Sequence, residues 1–134
     1  MGCDSRVMAN DPESVIHEYA RRYSAHDAEG VTALCLWPFV AVRGGAAIHL
    51  ADQDAVHDHF AAMMDAYRGQ GAATWSPVEI ESRRLGDYAS FEIVRWNALD
   101  GNGTVLRDTK TTYHLLAAPE EAEGWRFLSY TNHF

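Results

Sequence analysis

The chain contains a single lysine, Lys110, beside ten arginines, and two cysteines, Cys3 and Cys35. Two cysteines make no disulfide framework, and Cys3 falls in a stretch, residues 1–10, expected to be a flexible tail. No run approaches the roughly 20 consecutive apolar residues needed to span a bilayer. The opening Met1-Gly2-Cys3-Asp4-Ser5-Arg6 lacks an apolar signal core. Arg6 stands where a myristoylation pattern starting at Gly2 wants Ser or Thr. A soluble cytoplasmic protein without a membrane partner is the expectation. Positive charge is scarce too: 19 acidic against 11 basic residues leave a formal net charge of −8, which argues against a polyanion such as nucleic acid as main partner. There is no internal repeat, low-complexity segment or linker.

What is present is enough apolar material for one core. The 134 residues are 47% hydrophobic, which excludes intrinsic disorder and fits one domain, residues 11–134. Asp11-Pro12 opens a helix, with Asp11 as N-cap and Pro12 at the first helical position. Val15, Ile16, Tyr19, Ala20 and Tyr23 share its apolar face. Asp27 caps a short second helix carrying Val31, Leu34 and Cys35, which stops before Pro38. Phe39–Arg43 reads as a strand, Gly44-Gly45 as a tight turn, and Ala46–Leu50 as the return strand. Asp52 caps a third helix, striped by Val56, Phe60, Met63, Met64 and Tyr67 and ended by Gly69–Gly71. Four strands follow, at about Thr74–Arg84, Tyr88–Leu99, Thr104–Ala117 and Trp125–Phe134. Pro119, Glu120, Glu121 and Gly124 form the loop before the last. Short turns predict antiparallel neighbours, and the helix-then-strand order predicts an α+β layout.

This order resembles the nuclear-transport-factor-2-like superfamily, which includes ketosteroid isomerase, scytalone dehydratase, limonene epoxide hydrolase and the SnoaL-like polyketide cyclases. The resemblance is carried by Glu18–Leu36 (EYARRYSAHDAEGVTALCL), by Leu36-Trp37-Pro38-Phe39-Val40, by Gly44-Gly45, by the helix opened at Asp52, and by Trp125-Arg126-Phe127-Leu128-Ser129. It implies a cone-shaped, cystatin-like fold with three helices on a strongly curved sheet, a pocket between them, and a homodimer formed through the outer face of the sheet. It does not fix function, because the superfamily mixes enzymes with binding modules.

Set against the enzymes of that superfamily, the residues differ in what they keep. Tyr19 falls where ketosteroid isomerase has its oxyanion-donating tyrosine, and Tyr113 falls near the second donor. The general base falls at Arg43, and an arginine does not take up a proton at neutral pH. A steroid-isomerase mechanism is therefore rejected. Arg95 and Asn97 resemble the Arg-x-Asp pair of limonene epoxide hydrolase, but an amide replaces the acid. SnoaL-like cyclases use an Asp/His arrangement, for which Asp108, His114 and His133 are candidates. Asp108, Lys110, Thr112 and His114 alternate along one strand and share a face. Lining a cavity, they would tune His114 for proton transfer. Facing outward, Asp108 and Lys110 are an ion pair, and Val105, Tyr113 and Leu115 form the inward face instead.

The predicted site follows from these readings. Its catalytic residues are Tyr19 as donor to an oxygen, with Asp108 and His114 moving a proton. Its walls are Tyr23, Trp37, Phe60, Met64, Trp96, Tyr113 and Tyr130, with Asn132 and His49 as polar contacts near the rim. His57-Asp58-His59 looks like a metal-binding fragment, but residues two apart on a helix point to different sides, so no metal is expected there. Cys35 reads as a small buried hydrophobe, and Gly101 and Gly103 as parts of a hairpin turn rather than a nucleotide loop. The expected partner is a small apolar or aromatic ligand, bound without a cofactor. The expected function is that of a pocket protein, either a cofactor-free isomerase, dehydratase or cyclase, or a non-catalytic binding or dimerisation module.

Overall fold

The computed structural model describes residues 11–118 and 124–133. The expected tail at 1–10, the loop residues Pro119, Glu120 and Glu121, and Phe134 lie outside the described residues. The elements in chain order are α1 (Pro12–Ser24), α2 (Ala28–Thr32), β1 (Cys35–Arg43), β2 (Ala46–Leu50), α3 (Gln53–Gly69), β3 (Thr74–Arg84), β4 (Ala89–Leu99), β5 (Val105–Ala117) and β6 (Trp125–His133). This is the expected α+β order. Each helix begins at an aspartate whose carboxylate accepts a free backbone N–H: Asp11 from Ser14 at 2.8 Å, Asp27 from Gly30 at 2.8 Å, and Asp52 from Ala55 at 2.9 Å.

One boundary differs from the sequence reading. The second helix ends at Thr32, and Cys35 opens β1 instead of closing the helix. The Leu34 carbonyl accepts the Phe127 amide of β6 at 2.9 Å, so the sheet takes the backbone before another helical turn forms. Cys35 is buried, and its burial pushes the thiol pKa well up. It packs as a small hydrophobe.

The six strands run β2-β1-β6-β5-β4-β3 across one sheet. All neighbours are antiparallel except β1 and β6, which pair in parallel. The tight β1–β2 turn needs a left-handed backbone at both central positions. Gly44 (φ +57°) and Gly45 (φ +79°) supply it without a Cβ clash. One apolar core draws on α1 (Val15, Ile16, Tyr19), α3 (Val56, Phe60), β1 (Phe39, Ala41) and the inner faces of β4, β5 and β6. Among the described residues no helix is long and apolar enough to cross a membrane.

Among the described residues, one carboxylate is buried in the core. Glu92, on the inner face of β4, is fully buried and accepts hydrogen bonds from the Ser82 and Ser90 hydroxyls. Burial raises its pKa above the ordinary 4.5, although the two hydroxyl donors oppose the shift. A carboxyl with a folded pKa above its unfolded value makes the native state bind protons more readily. Its stability contribution is present at low pH and is lost as pH rises from the ordinary carboxylate range through the folded pKa. Glu92→Gln removes that loss. The variant is expected to melt higher than the wild type at pH 7, the difference shrinking toward pH 4. Thermal melts between pH 4 and 7 read this directly, and a variant that melts lower throughout contradicts it.

Candidate functional site

The inner face of the sheet is too wide for α1 and α3 to cover, and a cavity remains between them. Its interior admits water-sized molecules over about 60 Å³. Its whole envelope, counted out to the open mouth, is about 560 Å³. Helix α1 contributes Tyr19 and Tyr23; α3 contributes Phe60, Met63 and Tyr67. Trp75 and Trp96 come from β3 and β4. Strand β5 presents Arg107, Thr109, Thr111 and Tyr113, residues two apart and therefore on one face. Tyr130 and Asn132 come from β6, and Arg43 closes β1.

Tyr130 reaches the cavity through a register break. β6 skips Leu128 in its pairing with β5: Leu115 lies opposite Phe127, whereas His114 lies opposite Ser129. This bulge switches the side-chain parity, so both Phe127 and Tyr130 point inward.

The deep end is aromatic. Tyr19, only 7% exposed, has the Trp96, Tyr113, Phe60 and Phe127 rings within 5.1–6.3 Å of its own. The Trp96 indole N–H donates to the Tyr113 oxygen at 3.0 Å. Burial holds the Tyr19 and Tyr113 phenols well above their ordinary pKa. They remain protonated donors and never serve as bases.

The other end is polar. Arg43 Nη1 and Nη2 donate to the Tyr130 and Tyr67 hydroxyl oxygens, each at 3.4 Å. Behind Tyr130 stands His59, whose Nε2 lies 2.7 Å from the Tyr130 oxygen. Burial, aided by the Arg43 charge, lowers the His59 pKa below the ordinary 6.5. The lowered pKa favours the neutral imidazole, whose Nε2 accepts from the Tyr130 hydroxyl in the tautomer that carries its proton on Nδ1. Thr111 Oγ1 donates to Asn132 Oδ1 at 2.9 Å along the wall.

The structure brings Tyr19, Tyr23, Phe60, Trp96, Tyr113, Tyr130 and Asn132 to this cavity. It does not bring Asp108 or His114 there. The strand's period of two turns both outward, because Thr109, Thr111 and Tyr113 are inward. Asp108 receives Arg95 in a two-pronged pair, Nε at 2.9 Å and Nη2 at 2.6 Å, which holds its pKa below the ordinary carboxylate value. Lys110, the alternative partner for Asp108, lies opposite Arg95 in the register. The His114 ring lies 4.8 Å from that of Phe91. Convergence of Asp108 and His114 on the pocket is therefore corrected.

Two wall positions are corrected as well. Trp37 is 45% exposed, away from the cavity. Met64 is buried in the core one helical position past the cavity-lining Met63. It borders a neighbouring hollow that shares Tyr23, Tyr67 and Trp75 with this cavity. His49 is exposed on the edge strand β2 and does not line the cavity. Sequence reasoning missed Tyr67, Trp75, Arg107, Thr109 and Thr111 as wall residues, and His59 behind them. The signal for Arg43 was present, since Phe39, Ala41 and Arg43 alternate inward. The imidazoles of His57-Asp58-His59 diverge as helical spacing requires: His57 meets Asp58 and His59 turns to Tyr130.

The family described as NTF2-like protein (DUF6841) matches residues 10–134. No curated protein matches the chain. Among solved structures, an NTF2-like protein with a cystatin-like fold from Novosphingobium aromaticivorans superposes with a TM-score of 0.73 at 14% identity, over 98% of this chain and 85% of that one. A cystatin-like domain from Nostoc punctiforme gives 0.68 at 16% identity, over 90% and 75%. A candidate ketosteroid isomerase from Shewanella frigidimarina gives 0.66 at 17% identity, over 90% and 92%. Such identities establish a shared fold, and the fold is the cystatin-like one that the sequence resemblance implied. From the cap of α1 through β6, the chain belongs to the NTF2-like family DUF6841.

Proposed function

We propose that the protein binds a small, largely aromatic or apolar molecule in the cavity between α1, α3 and the inner face of the sheet. The observation that carries this reading is the division of the cavity. Aromatic walls lie at one end, and Arg43, Tyr67 and Tyr130 converge at the other. Apolar walls supply affinity, and a few placed polar groups fix orientation. Tyr19 remains the proposed hydrogen-bond donor at the aromatic end.

A second reading, cofactor-free acid–base turnover, is favoured by the 2.7 Å contact between His59 and Tyr130. Tyr130 takes a proton from the bound molecule while passing its own hydroxyl proton to His59 Nε2. The electron pair of the broken bond stays on the ligand as an enolate, and His59 leaves as imidazolium. Arg43 lies beside the oxygen at which the proton is exchanged. Steroid isomerisation with a carboxylate base is not part of this reading, because Arg43 occupies that place.

One experiment reads both. A panel of one- and two-ring aromatic ketones, 2-tetralone among them, is followed by proton NMR in D₂O with the wild type and Tyr130→Phe. Line broadening reports binding, and loss of the signal beside the carbonyl reports proton exchange. Broadening is expected, with exchange at least tenfold faster than in Tyr130→Phe. The exchange rate is expected to rise through a pH below the ordinary histidine range. Broadening without faster exchange removes the enzyme reading and keeps the binding one. No broadening across the panel overturns both.

A further inference from the structure

The cavity carries charge opposite to that of the chain. The protein has a formal net charge of −8, yet among the described residues the cavity wall holds two arginines and no aspartate or glutamate. Four arginines outside the cavity pair with acids, Arg21 and Arg22 with Glu18, Arg83 with Glu81, and Arg95 with Glu79 and Asp108, whereas Arg84 lies over the Trp125 ring. Among the described residues, Arg43 and Arg107 have no such partner. Arg43 reaches only two phenol oxygens, both at the long limit of a hydrogen bond. Arg107 lies over the Tyr67 ring, its Cζ 5.2 Å from the centroid. Tyr67 therefore has one guanidinium at its hydroxyl and the other on its face.

The hydrogen bonding of Arg107 shows which edge has a donor without an acceptor. Its Nη1 donates to Gln70 Oε1 at 3.2 Å. Its Nε–H is buried and meets no acceptor among the described residues. The Nε/Nη2 edge is a planar two-donor fork of the spacing that the two oxygens of a carboxylate accept. A buried donor without an acceptor is costly, and so are two like charges in an aromatic surround. An organic anion removes both costs at once.

Resting on the binding reading above, we infer that the ligand is a small aromatic or apolar monocarboxylate, its carboxylate on the Nε/Nη2 edge of Arg107 with Arg43 alongside and its body against Trp96 and Phe60. The negative surface of the chain repels anions in general. A preference for an acid over its neutral amide therefore has to arise locally.

The test compares 2-naphthoate with 2-naphthamide, and benzoate with benzamide, by titration calorimetry on the full chain. Each acid is expected to bind at least tenfold tighter than its amide, and added NaCl weakens the acids alone. Arg107→Met is expected to weaken the acids at least tenfold and leave the amides within about twofold. Arg107→Lys keeps the charge without the fork and is expected to restore only part of the difference. The wild-type comparison needs no variant, so a misfolded variant does not shield the inference. Equal affinity for acids and amides overturns the anion inference and leaves the pocket reading standing. Tighter binding of 2-naphthyl phosphate than of 2-naphthoate overturns the carboxylate assignment. Failure of all four probes to bind overturns the inference together with the pocket reading.

Discussion

Phe127→Ala is expected to lower the unfolding free energy by about 3–5 kcal/mol, the range for emptying an aromatic from a packed core. Phe127 is 1% exposed and lies at the meeting of helix and sheet. Its ring centroid is 5.1 Å from that of Tyr19 and 5.3 Å from that of Tyr113. Its backbone N–H also ties β6 to the segment after α2 through Leu34. The rings around it belong to different elements and are pinned elsewhere, Tyr113 by Trp96, so the site collapses poorly. The loss is a large share of the 5–15 kcal/mol typical of a domain. Urea unfolding checks it: a lower midpoint at unchanged slope is the expected result, and a loss under about 1 kcal/mol contradicts this picture of the core.

Thr109→Trp is expected to abolish ligand binding, weakening it more than a hundredfold, while leaving the melting temperature nearly unchanged. Thr109 lines the cavity on β5, half-buried, opposite Trp96 in the strand register. An indole there fills space that a ligand needs without displacing a core side chain. The control is its neighbour. Asp108→Asn breaks the pair with Arg95 on the outer face and is expected to leave binding within about twofold. Calorimetry with 2-naphthoate on both variants separates the two faces of β5 by one residue. Loss of binding in Asp108→Asn, with Thr109→Trp unaffected, would reverse the assignment of faces.

Much of the fold was legible because its signals are local. Asp11, Asp27 and Asp52 announce three helix starts, Gly44-Gly45 announces a turn, and the stripes on α1 and α3 announce their buried faces. The parallel pairing of β1 with β6 was not legible. It joins segments about 90 residues apart, and no turn residue marks it. The site was legible where parity or burial alone decides, as at Tyr19, Phe60 and Trp96. It was misread where two faces of one strand each looked plausible. On β5, Asp108, Lys110 and His114 have the residue types of a site, but the inward alternation belongs to Arg107, Thr109, Thr111 and Tyr113. On β6 the inward aim of both Phe127 and Tyr130 depends on the bulge at Leu128, which no periodicity shows. Arg107 and His59 act through tertiary neighbours, Tyr67 and Tyr130, that the sequence separates by 40 and 71 positions.

We propose the inner cavity, rather than the polar outer face of β5, as the ligand site. A crystal structure of the protein with 2-naphthoate tests it most directly. The account predicts the naphthalene ring between Trp96 and Phe60, with the carboxylate on the Nε/Nη2 edge of Arg107. A ring found instead on the outer face, against Phe91 and His114 beside Asp108, would contradict it.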